Sequence, residues 1–232
     1  MSLLEVDQLD QFYRDFQALF HVSLSVDEGE IVAVIGANGA GKSTFLRSVA
    51  GSIPSPAKAI RFDGLPVGER PAQWRVPLGI VLTPEGRRVF PSLSVEENLQ
   101  VGAYCKRVGP WTLARVYEIF PMLRSMTHRS AAVLSGGEQQ ALAIGRSLMS
   151  NPRLLLMDEL SLGLAPVAVK QLYEAVPAIR AGGTTLVIVE QDITQALGVA
   201  DRAYCFLEGR VSLQGRPDDL TRERIRAAYF GV

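Results

Sequence analysis

The chain's 232 residues, 47% hydrophobic and 21% charged, suffice for one large or two small domains around a sizeable buried core. Lysine plus arginine equals aspartate plus glutamate at 24 each, so the broad basic field of a non-specific nucleic-acid binder is missing and no nucleic-acid partner is expected. The only cysteines, Cys105 and Cys205, stand alone without CxxC or Cys/His ligand spacing, which argues against a zinc site or a disulfide framework and reads them as free thiols in a reducing compartment.

From the N-terminus, the opening MSLLEVDQLDQFYRD is too acidic for a secretory signal, and no apolar run along the chain approaches the roughly 18 residues of a membrane span. A cytoplasmic chain that meets the membrane only through a partner is expected. The run GEIVAVIG (29–36) is short, β-branched and closed by glycine, and KSTFLRSVA follows with helical spacing, so strand, loop and helix are predicted in succession. Further strands are predicted over 59–62, 79–82, 153–157, 184–189 and 203–207, several apolar almost throughout as buried parallel strands are. Residues 94–104 open on a Ser-x-x-Glu capping box (Ser94, Glu97) and read as helix, as do 113–120. The pattern predicts an α/β core with a helical subdomain near residues 87–150.

Within that frame, GANGAGKST (36–44) fits GxxxxGK[ST] between a buried strand and a helix start, where a phosphate loop must lie. Backbone N–H groups of Gly36, Asn38, Gly39, Ala40 and Gly41 would converge on phosphate oxygens. Lys42 would reach the β- and γ-phosphates, Ser43 would ligate Mg²⁺, and Thr44 continues the helix start. A second apolar strand, LLLM (154–157), runs into Asp158 and Glu159, two carboxylates at a strand's carboxyl end. Asp158 is the candidate metal ligand, and Glu159 is the candidate base for the attacking water. A third element, LSGGEQQ (134–140), precedes Asp158 closely; Ser135 and Glu138 form a capping box, and Gly136 and Gly137 expose N–H donors beside the Ser135 hydroxyl. A well-capped helix is the plain alternative, but such an anion site is redundant with the chain's own phosphate loop and is better used on another chain's nucleotide. His21 and His128 lie outside every motif and read as structural, and Arg87 with Arg88 as a solvated basic pair, with a role facing acidic residues of a partner as the alternative.

In order, GANGAGKST, LSGGEQQ and LLLMDE resemble the phosphate loop, signature and second nucleotide motif of ABC transporter ATP-binding subunits, across nearly the whole chain. PEGRRVFPSLSVEENL (84–99), SGGEQQALAIGRSLM and SLGLAP (161–166) further resemble the subunits of branched-chain amino-acid importers. The resemblance implies a phosphate-loop NTPase (RecA-like) α/β core of mostly parallel strands, with an antiparallel β part. It implies a single ATP-binding domain over 1–232, with residues 87–150 as the inserted helical subdomain carrying the signature. ATP and Mg²⁺ are the implied cofactors, and ATP hydrolysis coupled to import is the implied activity. The implied partners are a second ATP-binding subunit in a head-to-tail homo- or heterodimer, membrane permease subunits, and indirectly a solute-binding protein. Such a chain would sit peripherally on the inner face of the cell membrane.

Each ATP would then lie between one chain's phosphate loop and the other's Ser135, Gly136 and Gly137. By position, Tyr13 resembles the aromatic residue that stacks on adenine. Glu85 stands where most of the family has a glutamine that senses Mg²⁺ and couples to the membrane subunit, and Gln191 where most have a switch histidine. Ala165 replaces an aspartate and Leu160 a proline. Because Gln191 cannot become a cation, a slow homodimer and a non-identical ATPase partner are expected. The alternative is a non-transport ABC ATPase of repair or translation; those carry a long coiled-coil insert or tandem cassettes, whereas here Lys42 and Ser135 are 93 residues apart and each motif occurs once.

Overall fold

The computed structural model describes residues 2–230. Two twelve-residue strands open it, β1 (Ser2–Tyr13) and β2 (Phe16–Asp27), paired antiparallel through a tight turn at Arg14 and Asp15. Then come β3 (Ile31–Gly36), α1 (Lys42–Ala50), β4 (Ile60–Phe62), β5 (Leu65–Pro66), α2 (Ala72–Leu78) and β6 (Ile80–Thr83). The helices α3 (Val95–Gly102), α4 (Leu113–Ile119), α5 (Pro121–Arg124) and α6 (Gly136–Leu148) follow. The chain continues through β7 (Leu154–Asp158), α7 (Pro166–Ala181), β8 (Thr185–Glu190), α8 (Ile193–Val199), β9 (Arg202–Leu207), β10 (Arg210–Gly215) and α9 (Arg222–Phe230).

A six-stranded sheet runs β10-β9-β3-β8-β7-β6, parallel except for its antiparallel edge strand β10. An antiparallel four-stranded sheet runs β2-β1-β4-β5. The predicted strand at 59–62 therefore belongs to this second sheet, not among the parallel strands. Alternation along the central strands explains the layering. Val32, Val34, Leu154, Leu156, Val187 and Val189 share one apolar cluster with Phe45, Leu46 and Val49 of α1 and the inner face of β1 and β2, so α1 packs between the two sheets. On the opposite face, Ile31, Val81, Leu155, Met157, Leu186 and Ile188 pack under α3–α7. Strands buried on both faces have to read as continuous apolar runs, as these do.

The long N-terminal strands escaped the sequence pattern because bulges shift their phase. Leu4 and Val6 point inward, the next buried position is Leu9, and Gln8 between them has φ 48°. On β2, His21 has φ 49°, its backbone N–H donates to Asp10 Oδ1 at 3.0 Å, and its ring Nδ1 lies 3.2 Å from Asp10 Oδ2. Each bulge inserts one residue and flips the alternation, so a strict period of two is lost over twelve residues.

Both predicted capping boxes form: Ser94 with Glu97 opens α3, and Ser135 with Glu138 opens α6. Ala165 is the N-cap of α7 and makes no side-chain cap bond; an aspartate there would contribute about 1 kcal/mol. Leu160 is 1% exposed and fills the core beneath the helical layer, which a proline ring would fill less completely. The fully buried Arg75 closes the C-terminus of α1, donating to the Ser48 and Val49 carbonyls at 2.6 and 2.7 Å and to the Gly68 and Arg70 carbonyls at 2.7 Å each; burial lowers its pKa to about 10. It thereby anchors the far end of the helix whose first turn carries Lys42. Both cysteines are free, Cys205 buried and Cys105 half-buried.

Candidate functional site

Between β3 and α1, residues 37–41 form a loop at the carboxyl edge of the central sheet, where α/β folds bind ligands. Gly41 precedes the helix at φ 98°, and a Cβ there would lie 2.7 Å from Leu19 Cδ2, so both the backbone turn and the close approach of β2 require glycine. Lys42, 4% exposed, turns its Nζ back into the loop and donates to the Gly36 carbonyl at 2.7 Å and the Ala37 carbonyl at 3.0 Å. Burial lowers its pKa, while the charges of Glu159, Asp158 and Glu190 oppose that shift. The first turn of α1 also presents Ser43, whose Oγ donates to Asp158 Oδ1 at 3.1 Å.

β7 brings Asp158 there because it lies two strands from β3 in the sheet, across β8. Asp158 is 2% exposed, and its carboxyl is pushed up to about 6, chiefly by burial; the Ser43 bond opposes this, and the neighbouring Glu159 and Glu85 charges add to it. One residue on, Glu159 adopts a left-handed φ of 48°. Its backbone N–H bonds the Val189 carbonyl at 3.0 Å, and its Oε1 lies 3.9 Å from Lys42 Nζ and accepts from Gln191 Nε2 at 3.1 Å. The same Gln191 amide donates to Asn38 Oδ1. A strained backbone at a charged residue is held only where its surroundings over-determine it, and here four segments converge.

The ionised Asp158 costs the nucleotide-free fold stability, because its folded pKa of about 6 exceeds the ordinary 3.8. Asp158→Asn is therefore expected to stabilise the nucleotide-free chain at pH 8 by on the order of 1–3 kcal/mol. That gain should shrink toward zero as pH falls from about 6 to about 4, where both side chains are neutral. Urea unfolding across that range checks it, and a gain independent of pH would contradict the burial of this carboxylate as its source.

In front of these groups lies a cavity of about 710 Å³ lined by Asn38, Gly39, Gly41, Lys42, Ser43, Thr44 and Glu159. The tip of the β1–β2 hairpin closes one side with Tyr13 and Phe16, and the Tyr13 hydroxyl is 3.4 Å from Thr44 Oγ1. Gly36 and Ala40 are buried behind the loop and do not line the cavity. Phe16, 69% exposed, and Arg210, whose guanidinium stacks on Phe20 at 4.6 Å, also line it and were missed; Phe16 was legible only as the hairpin partner of Tyr13.

Two sets of candidates stand apart. Glu85 is exposed after β6 and outside the cavity lining, although its charge bears on Asp158. Ser135, Gly136 and Gly137, at the start of α6, line no part of the cavity. Ser135 is exposed, and the half-buried Arg87 lies across Gly136: a Cβ on that glycine would be 2.9 Å from a guanidinium nitrogen. Arg87 also donates to Gln139 Oε1 and the Gly163 carbonyl at 3.4 Å each, so it is not the freely solvated cation that its sequence suggested. His128 is exposed.

A family model described as ABC transporter matches residues 19–161. The chain is 44% identical to the high-affinity branched-chain amino acid transport ATP-binding protein BraG of Pseudomonas aeruginosa, over 99% of this chain and all of that protein. It is 30% identical to the lipopolysaccharide export system ATP-binding protein LptB of Escherichia coli, over the whole of this chain and 98% of the other. Among solved structures, a nucleotide-free ATP-binding cassette from an ABC transporter superposes with a TM-score of 0.84 at 26% identity, covering 98% of this chain and 95% of the other.

Proposed function

The chain belongs to the ABC transporter family of ATP-binding, ATP-hydrolysing subunits, and from that premise we propose that it energises import of branched-chain amino acids through separate membrane subunits. The observation carrying the ATPase chemistry is the convergence of Lys42, Ser43 and Glu159 on one cavity, with Asp158 bonded to Ser43 and Gln191 to Glu159 just outside its lining, and the signature residues facing elsewhere. The choice of solute rests on the full-length likeness to a branched-chain amino acid transport protein.

Within a single ATP-binding domain, residues 87–150 form the helical subdomain that carries the signature loop. The adenine stacks on Tyr13, and the phosphates enter the loop, where Lys42 Nζ exchanges its two carbonyl partners for β- and γ-phosphate oxygens. The Ser43 hydroxyl and the Asp158 carboxylate are paired hard oxygen donors in a buried setting, which fits Mg²⁺, an ion that takes one or two protein ligands and completes its shell with phosphate and water. Bound there, the ion would neutralise charge on the phosphates and hold Asp158 ionised. Glu85, on the loop after β6, bears on Asp158 through its charge and would act on the bound metal through that carboxylate or through water. Glu159 takes a proton from the attacking water, and the Gln191 amide holds its carboxylate.

The second ATP-binding subunit closes over the cavity head to tail and places its own signature serine and glycines on the γ-phosphate. Gln191, a neutral donor, makes this chain's site the slower one when a non-identical partner is present. Among the described residues no helix is long and apolar enough to cross a membrane; peripheral attachment at the inner face, through the membrane subunits, belongs to the import reading. The exposed Phe90, Val101 and Tyr104 edge a groove of about 270 Å³ suited to an apolar segment of a membrane subunit.

Ser135→Arg tests the head-to-tail geometry. It is expected to leave ATP binding by the isolated chain within about twofold while suppressing hydrolysis in the assembled dimer by about 10² or more, the scale for losing a preorganised phosphate donor. Weakened binding by the isolated, folded variant would place the signature loop in its own chain's site. Import is tested by co-purification with membrane subunits and ATP-dependent leucine uptake into vesicles; assembly without uptake of any branched-chain amino acid would overturn the solute.

A further inference from the structure

Glu190, the last residue of β8, is 1% exposed and has no part in the chemistry described above. Its carboxylate is nevertheless the most heavily bonded in this region. Oε1 accepts the Ser161 backbone N–H at 3.0 Å, and Oε2 accepts the Ser161 hydroxyl at 2.8 Å and the Gln191 backbone N–H at 3.3 Å. Tyr173 of α7, itself 6% exposed, is buried beside it. A carboxylate at that depth costs several kcal/mol to desolvate, so an apolar residue would be the default unless its bonds had a use.

The use is visible in what those bonds join. Ser161 lies two residues after Glu159, on the loop leaving β7, and Gln191 is the residue that holds the Glu159 side chain at 3.1 Å. Glu159, Leu160, Ser161, Glu190 and Gln191 therefore close a ring: two covalent segments, one at each strand end, joined by the Ser161–Glu190 bonds on one side and the Gln191–Glu159 bond on the other. Leu160, 1% exposed, pins the middle of the first segment into the core. The left-handed backbone of Glu159, φ 48°, lies inside this ring, and such a conformation persists only when neighbours enforce it. Without Glu190, Ser161 has no anchor in the sheet, and the peptide carrying Glu159 can relax toward ordinary φ values, swinging its carboxylate away from Gln191.

We propose that Glu190 is a positioning residue that clamps the loop after β7 through Ser161 and thereby sets the Glu159 carboxylate for its water. This rests on the assignment of Glu159 as the base, so the test includes Glu159→Gln beside it. In Glu190→Gln one oxygen acceptor becomes an amide donor facing the Ser161 N–H or O–H, while size is kept. Steady-state hydrolysis of Mg-ATP by the full chain is expected to fall about 10- to 100-fold in kcat, the scale of misplacement by about 1 Å, with KM for ATP within about twofold. Ser161→Ala, which removes one of the three bonds from a half-buried position, should give a smaller loss of the same kind. In a double-mutant cycle, Glu190→Gln combined with Gln191→Ala should lose much less than the product of the single losses, because both act through one carboxylate.

Should Glu159→Gln abolish turnover while Glu190→Gln and Ser161→Ala leave kcat unchanged, the clamp is refuted and the base stands. Should Glu159→Gln itself turn over normally, the base is lost first. Parallel losses in kcat and ATP affinity, multiplying independently with Gln191→Ala, would reduce Glu190 to a structural residue. If Glu190→Gln does not fold, the cycle of Ser161→Ala with Gln191→Ala decides alone, by the same non-multiplicative criterion.

Discussion

Lys42→Ala is expected to lower ATP hydrolysis by about 10²- to 10³-fold or more, the effect of removing one preorganised charge from a phosphate-stabilising site. The expectation comes from the geometry of the ammonium. Nζ is nearly out of water, with carbonyl bonds of 2.7 and 3.0 Å to Gly36 and Ala37 and a carboxylate at 3.9 Å. Burial pulls its pKa down, and the three neighbouring carboxylates, Glu159, Asp158 and Glu190, only oppose the shift, so a polyanion entering the cavity meets a cation that is poorly solvated and ready to exchange partners. Removing it takes one donor from the Gly36 and Ala37 carbonyls and takes the lysine's charge away from three carboxylates, of which Glu159 lines the cavity that incoming phosphates enter. ATP binding should weaken together with turnover, whereas thermal unfolding of the nucleotide-free chain should remain cooperative, since α1 is anchored independently through Phe45, Leu46, Val49 and Arg75. Equilibrium binding of a fluorescent ATP analogue and steady-state hydrolysis check both halves. Turnover near that of the unaltered chain would remove the phosphate-loop assignment.

The same residues show why some of this site could be read from sequence and some could not. Lys42, Ser43, Asp158 and Glu159 belong to contiguous motifs whose meaning is local: a strand end, a glycine turn and a helix start put their atoms in place with little help from distant chain. The five central parallel strands were legible for a related reason, being buried on both faces and apolar along most of their length. The strands that carry Tyr13 to the cavity were not, because Gln8 and His21 interrupt their alternation with left-handed residues. Arg87 was misread for a different reason. A charged pair in a loop is ordinarily solvated, and only the three-dimensional approach of Gly136, a residue with no side chain to exclude it, gives the guanidinium a half-buried place. Glu190 carried no sequence signal as a partner of Ser161, 29 positions away in the chain, since that contact depends on β7 and β8 being neighbours in the sheet.

Glu159→Gln should slow hydrolysis by about 10²- to 10⁴-fold, the range for losing a general base, while ATP affinity is kept or improved. The two expectations separate because the substitution changes one property at a time. A glutamine at 159 has nearly the shape of the carboxylate, so its carbonyl oxygen can still accept from Gln191 Nε2, now at 3.1 Å, and Leu160 and Ser161 keep their places. What it lacks is a lone pair basic enough to take a proton from water. It also lacks the negative charge 3.9 Å from Lys42, and losing that charge reduces repulsion toward the γ-phosphate and leaves the lysine freer to bind it. Binding and hydrolysis therefore move in opposite directions, which a general loosening of the site cannot produce. With ATP bound and not consumed, chains that pair around nucleotide should stay paired, so size-exclusion chromatography in Mg-ATP is expected to show more dimer for the variant than for the unaltered chain, and equal amounts in ADP. To cover pairing with a non-identical subunit, the run is made with the chain alone and with a co-expressed related ATPase subunit. Slowed hydrolysis without any ATP-dependent increase in dimer, in either format, would separate Glu159 from the pairing cycle and leave the head-to-tail assembly without support from this chain.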